Sequence, residues 1–263
     1  MDRDAGYRPP GRTERDTVAE GVGLLLDGDR PAAEKRLSSV DFAVRTVTDR
    51  ASGRRYAEVA DAAEGGESRR GWGRVYLELG QRARWSVQVP HPSSDLHTDV
   101  LGSAVLRGSR NGVLVLAGAH RRAGSGDAAD GAHRGDTVFA AVCAELLARK
   151  LPALQLHGFA DDSVPGYEAV VATGSTSLGR GTARELARGL ERGDLAVCRA
   201  WAHHCKLEGR DNEQTREAAR ERVPFLHVEL SRRVRKSERQ RAVAARELAA
   251  AGQELAGRGA AAP

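Results

Sequence analysis

Aromatic side chains are scarce: Phe, Trp and Tyr make up 4% of the 263 residues. Any sizeable core must therefore be assembled from Val, Leu and Ala. Cysteine is scarcer still. The three present (Cys143, Cys198, Cys205) have no CxxC spacing and are too few for a disulfide framework. A Cys198–Cys205 bridge is expected only if the protein is exported. No apolar run approaches the ~18 residues that a membrane span needs. The first sixteen residues lack the apolar stretch of a signal peptide, so the expectation is a cytoplasmic protein. No GxSxG occurs, which argues against a serine nucleophile. The net charge of +5 comes from scattered Arg, and the run at 232–241, RRVRKSERQR, reads as a solvated helical face. Nucleic-acid binding does not follow from it; a small anionic substrate is an equally good partner.

What is present is an ordinary globular composition, 40% hydrophobic and 29% charged, in a length that suits one large α/β domain or two small ones. Residues 1–16 are polar and read as a disordered tail. Residues 17–84 read as a helix on Val18, Val22 and Leu25, a further helical turn past Pro31, and antiparallel strands at 42–48, 55–59 and 73–79. The segment 62–71 reads as a loop. From Trp85 the pattern changes. Strands at 85–89, 113–117, 151–156, 195–201 and 225–230 alternate with helices at 99–107, 137–150, 182–192 and 214–222. Such alternation predicts an α/β fold, three layers (αβα) around a mixed, mostly parallel sheet over 85–236. Residues 237–263 read as a terminal helix and tail.

Three strands of that sheet carry polar residues that packing does not require. WSVQVPHPSSDLHTD, at 85–99, runs apolar to Val89, breaks at Pro90 and then presents His91, Asp95, His97 and Asp99. This is the rim where open α/β sheets bind ligands. A His and a carboxylate four residues apart on such a turn can converge on one zinc ion, so His91 with Asp95 reads as half of a zinc site. LQLHGF puts His157 at the end of a later strand. FLHVELSRRVR isolates Glu229 in an apolar strand, where a carboxylate is costly unless it is paired or works. Pairing with Arg232 or Arg235 is the bland reading. The alternative is a general base that takes a proton from zinc-bound water. His120, after VLVLAGA, is either structural or an electrophile beside the site. His133 reads as exposed and Cys143 as core. His203, His204 and Cys205 point in different directions and do not close a tetrahedron.

PHPSSDLHTD, LQLHGF and FLHVELSRRVR, in that order, resemble the zinc-carboxypeptidase-like amidohydrolases, above all the N-formylglutamate amidohydrolase and phage-type poly-γ-glutamate hydrolase branches. The resemblance covers roughly 85–236; the preceding residues match nothing. It implies a phosphorylase/hydrolase-like fold, a Zn2+ cofactor held by His91, Asp95 and His157, and Glu229 as the catalytic carboxylate. Asp at this spacing departs from the family's Glu, so Asp99 and His97 stay open beside the preferred Asp95. The implied chemistry is amide hydrolysis by a water at the open fourth zinc position, with Glu229 passing its proton to the leaving nitrogen. Candidate oxyanion donors are Arg121, Arg122 and Arg199. Candidates for gripping a substrate carboxylate are Asn212, Arg232 and Arg235. The function so implied is zinc-dependent cleavage of a small anionic amide of the N-acyl or γ-glutamyl type. The competing reading is a relative that has lost catalysis and binds an anionic ligand or a protein partner.

Overall fold

The computed structural model describes residues 7–62 and 70–259. Its first elements are α1 (Arg12–Leu26) and α2 (Arg30–Ser38). α1 starts inside the stretch expected to be a disordered tail. Glu14 anchors its first turn, accepting from the Gly11 N–H at 2.7 Å and pairing with Arg8. Pro31 opens a helix rather than ending one. It lies in the first turn of α2, where a missing N–H is no loss, and Asp29 caps that turn by accepting from the Ala32 N–H at 3.0 Å. β1 (Phe42–Thr48), β2 (Arg55–Asp61) and β3 (Arg74–Glu78) then form the expected antiparallel meander. Most of the loop expected at 62–71 lies outside the described residues, as do the ends of both expected tails.

The chain continues through β4 (Trp85–Val89), α3 (Thr98–Gly108), β5 (Gly112–Leu116), α4 (Val138–Ala148), β6 (Ala153–Phe159), β7 (Ala169–Ala172), α5 (Arg180–Arg192), β8 (Val197–Arg199), α6 (Glu213–Glu221), β9 (Phe225–Ser231), α7 (Arg232–Lys236) and α8 (Glu238–Gly259). All nine strands join one mixed sheet in the order β1-β2-β3-β5-β4-β6-β9-β7-β8. The run β5-β4-β6-β9 is parallel, as is β7-β8. The meander is antiparallel throughout and joins β5 antiparallel through β3, while β7 runs against β9. The sheet is therefore mostly parallel only from Trp85 onward, and the β3–β5 pairing makes the N-terminal wing continuous with it. β7 was not foreseen: AVVA is too short a run to announce itself. Among the described residues no helix is long and apolar enough to cross a membrane.

Helices cover both faces. On one, Val87, Leu154, Leu156 and Val228 pack against Leu101 of α3, Leu190 of α5 and Leu248 of α8. On the other, Val59, Val75 and Val113 pack against Val22 of α1 and Leu146 of α4. Each fully buried Val or Leu contributes about 1.5–3 kcal/mol. Side chains alternate along a strand, so the second face also receives a different set. Ser86 and Gln88 of β4, Gln155 and His157 of β6, and His227 and Glu229 of β9 form a buried polar strip, none more than 7% exposed. The register sets Gln155 beside His227 and His157 beside Glu229. This strip reaches the carboxyl ends of the parallel strands, and there it meets the loop that follows β4.

Candidate metal centre

Pro90 ends β4, and the next residues fold back at once. The N–H groups of Ser94 and Asp95 both donate to the His91 carbonyl, at 3.0 and 2.8 Å, and the Thr98 hydroxyl donates to the Asp95 carbonyl at 2.7 Å. This turn returns Asp95 to the side of His91 just before α3 begins. Asp95 Oδ2 lies 3.6 Å from His91 Nδ1 and 3.6 Å from His157 Nδ1. All three side chains are buried, and their three ligand atoms lie within 4.8 Å of one another. Asp99 and His97, the alternatives for the carboxylate position, are exposed.

The donor set fits a divalent metal. Two ligand atoms, each ~2.0–2.1 Å from a tetrahedral zinc, stand about 3.4 Å apart; the observed 3.6 Å is near that edge and too long for a good hydrogen bond. His91 Nδ1 is buried with no hydrogen-bond partner. Its other nitrogen, Nε2, sits 2.7 Å from Asp130 Oδ1, so Nε2 carries the proton and Nδ1 keeps a lone pair aimed at the cluster. His157 repeats the arrangement: Nε2 faces the amide oxygen of Gln155 at 3.0 Å, and Nδ1 faces Asp95. An imidazole whose far nitrogen is held by an oxygen acceptor is the usual form of a metal-binding histidine.

Supporting groups hold these acceptors in turn. Gln155 Oε1 also accepts from Asn212 Nδ2 at 2.8 Å, while its Nε2 donates to Gln214 at 2.9 Å. Asp130 accepts from Arg121 at 2.8 Å and pairs with His133 at 3.1 Å. The same Asp95 oxygen, Oδ2, also accepts from the Gly158 N–H at 3.1 Å.

Charge follows geometry. Burial is the largest influence on His157 and lowers its pKa to about 4, so it is neutral and able to ligate near neutral pH. Burial also opposes the charged form of His91, but the carboxylates of Asp130 and Asp95 outweigh it and raise that pKa. For Asp95 burial works against ionisation, and the His157 and His91 rings more than offset it, holding the carboxyl well below its usual range.

Glu229 lies across the β6–β9 ladder from His157. Its Oε1 is 3.6 Å from His227 Nε2, and its Oε2 is buried with no partner. Among the described residues its ion-pair contact is to His227; neither Arg232 nor Arg235 pairs with it. His227, 1% exposed, has no hydrogen-bond partner on either ring nitrogen. Its ring packs on Gly209, whose positive φ of 66° suits glycine and whose missing Cβ would fall 2.4 Å from His227 Nδ1.

The arginine expectations fare differently. Arg121 pairs with Asp130 and so backs His91. Arg122 is exposed, and Arg199 pairs with Glu191 of α5. Arg232 is exposed on α7. Asn212 and Arg235 are buried, but Asn212 faces Gln155, and Arg235 donates to backbone carbonyls of Leu230, Leu96 and Phe159. Asn212 Nδ2 also lies 3.3 Å from His157 Nε2, and the three carbonyls take one N–H from each Arg235 nitrogen. His120 is half-buried, with Nδ1 accepting from the Arg122 N–H. His133 is exposed, as expected, yet its Nδ1 reaches Asp130.

Three participants escaped the sequence reading: Asp130, Gln155 and His227. For the last two a signal existed. LQLHGF and FLHVEL each place two polar residues at alternate positions between apolar ones, the mark of a strand with one polar buried face. Asp130 offered none, since it sits in a Gly/Asp-rich loop as one of three similar carboxylates at 127–136. Away from the centre, Cys143 is buried in the core beside Val142 and Leu146. Cys205, weighed with His203 and His204 as a zinc ligand, is instead disulfide-bonded to Cys198.

An αβα protein with a nine-stranded mixed sheet and a buried His–Asp–His centre at the carboxyl ends of its parallel strands is the class that fold and site define. The fold is that of the N-formylglutamate amidohydrolase from Ralstonia eutropha JMP134, with a TM-score of 0.50 and 15% identity over 70% of this chain and 96% of that one. At that identity the likeness is one of fold. Succinylglutamate desuccinylase from Chromobacterium violaceum (16% identity, TM-score 0.46, 82% of this chain and 70% of that one) and a bacteriophage poly-γ-glutamate hydrolase (14%, 0.43, 68% and 85%) are more distant in shape. No family model and no curated protein matches the chain.

Proposed function

We propose that this protein is a zinc-dependent hydrolase that cleaves an amide bond in a small anionic substrate of the N-acyl or γ-glutamyl amino acid type. The observation that carries the reading is the convergence of His91 Nδ1, Asp95 Oδ2 and His157 Nδ1, with both far nitrogens held by oxygen acceptors. His91, Asp95 and His157 would hold the ion. When bound, zinc supplies Lewis-acid polarisation of a carbonyl and lowers the pKa of water. Glu229 supplies the proton traffic in this reading. Its unpartnered Oε2 takes the proton of the attacking water and delivers it to the leaving nitrogen. Asp130 and Gln155 hold the two imidazoles in the tautomer that ligates; against burial, His133 and His91, and to a lesser degree Arg121, favour the ionised form of Asp130.

The substrate class rests on the resemblance and on the known activity of the R. eutropha protein of the same fold. The Cys198–Cys205 disulfide weighs toward folding in an oxidising compartment rather than the expected cytoplasm. One observation favours the lapsed-relative reading: the guanidinium groups of Arg121 and Arg235 are both engaged within the protein. Metal analysis of the purified protein, with a hydrolysis screen over N-acyl amino acids and γ-glutamyl peptides, separates the two. One equivalent of zinc with turnover supports the hydrolase. Zinc without turnover of any member supports the binder, and no metal above background sinks the metal centre.

A further inference from the structure

Arg235 is 4% exposed and makes no ion-pair contact with a carboxylate among the described residues, although Asp95, Glu229 and Asp161 are near enough to favour its charge. A buried cation without a counter-ion is expensive unless its donors are satisfied. Here three backbone carbonyls take three of its five N–H donors, one from each nitrogen. Nε donates to Leu230 O at 3.0 Å, Nη2 to Phe159 O at 3.1 Å and Nη1 to Leu96 O.

The identity of those carbonyls is what matters. Leu96 directly follows Asp95, Phe159 lies two residues beyond His157, and Leu230 directly follows Glu229. One rigid guanidinium therefore joins the loop after β4 to the ends of β6 and β9, the three segments that carry the ligands and the carboxylate. The plane also lies against Gly158, where a Cβ would fall 2.2 Å from Arg235 Nε and 2.3 Å from Cζ. The N–H of that same glycine orients Asp95 Oδ2 at 3.1 Å. Only Arg offers five donors in a fixed planar fork; Lys presents a single nitrogen on a flexible stem.

We propose that Arg235 is a positioning residue for the metal centre: a three-way carbonyl clamp that fixes the separation of Asp95, His157 and Glu229. This rests on the metal reading above. A displaced support of this kind acts on the metal as the loss of an outer hydrogen bond does, and such losses weaken metal affinity about 10–100-fold.

The test is a competition titration with a chelating dye, on Zn2+-free full-length protein, for wild type, Arg235→Lys, Arg235→Met and Gly158→Ala. Circular dichroism and the melting midpoint of each metal-free form are recorded alongside. The expected result is tight binding of one zinc by wild type and about 10–100-fold weaker binding by Arg235→Lys, at native secondary structure. The cobalt(II)-substituted form of that variant should show an altered visible spectrum. If Arg235→Met does not fold, Gly158→Ala perturbs the same clamp with the guanidinium still present, and the same weakening is expected. Wild-type zinc affinity in Arg235→Lys and Gly158→Ala, whatever their melting midpoints, would make Arg235 a part of the fold only and overturn the assignment. Absence of zinc binding by wild type overturns the metal reading, and this assignment with it.

Discussion

His91 Nε2 stands 2.7 Å from Oδ1 of Asp130, thirty-nine positions further along the chain. The pair settles which imidazole nitrogen carries the proton and which is left for a ligand. Asp130→Asn keeps the shape but removes the charge that faces both His91 and Arg121. Zinc affinity is expected to fall about 10–100-fold, read by chelator competition, with little change in secondary structure. Unchanged affinity would mean that Asp130 serves only its own loop.

The ligand set makes a sharper demand. His157→Ala, His91→Ala and Asp95→Ala should each reduce bound zinc from one equivalent to near zero after dialysis, measured by inductively coupled plasma spectrometry. Asp99→Ala and His97→Ala should retain it, because both side chains are exposed while Asp95 lies 3.6 Å from both imidazoles. Retention by Asp95→Ala with loss by Asp99→Ala would reverse the assignment.

Glu229 should separate chemistry from binding. Glu229→Gln is expected to lower kcat by about 10²–10⁴, the usual contribution of a general base, with zinc stoichiometry unchanged. A variant that loses its metal together with its activity would mark Glu229 as a ligand or a structural support instead.

Thiol counting reads the disulfide. Protein purified without reductant and then unfolded should titrate one thiol, Cys143, and three after reduction. In the native state Cys143 should resist alkylation at pH 8, since complete burial pushes its pKa well above the ordinary thiol value and keeps it protonated. Three titratable thiols in the unreduced protein would return the cytoplasmic expectation to favour.

Much of the architecture was legible because period-two and period-3.6 patterns are local. β1 and β4 lie at the expected residues, and the amphipathic pattern of α4 is bounded by Thr137, which caps it by accepting from the Ala140 N–H. β7 and the antiparallel join of β3 to β5 were not legible: a four-residue strand carries too little pattern, and strand order depends on contacts between distant segments. At the site, residues that follow the strand end at Pro90 stood out. Asp130 did not, since its partner is set by tertiary folding alone. The arginines were hard to tell apart for a related reason. In a chain with 41 Lys and Arg, nothing local separates a buried Arg235 from an exposed Arg232 three residues before it.

The alternation along β6 and β9 has a further bearing. Leu154, Leu156, Leu226 and Val228 look into one helical layer, while Gln155, His157, His227 and Glu229 look the other way. Sliding either strand by a single residue would exchange greasy and ionisable groups wholesale, a penalty no local adjustment could absorb. Replacements confined to the reactive side leave the opposite packing untouched. Disabled versions of this molecule should thus remain well folded, ready to be crystallised with an uncleaved substrate in place.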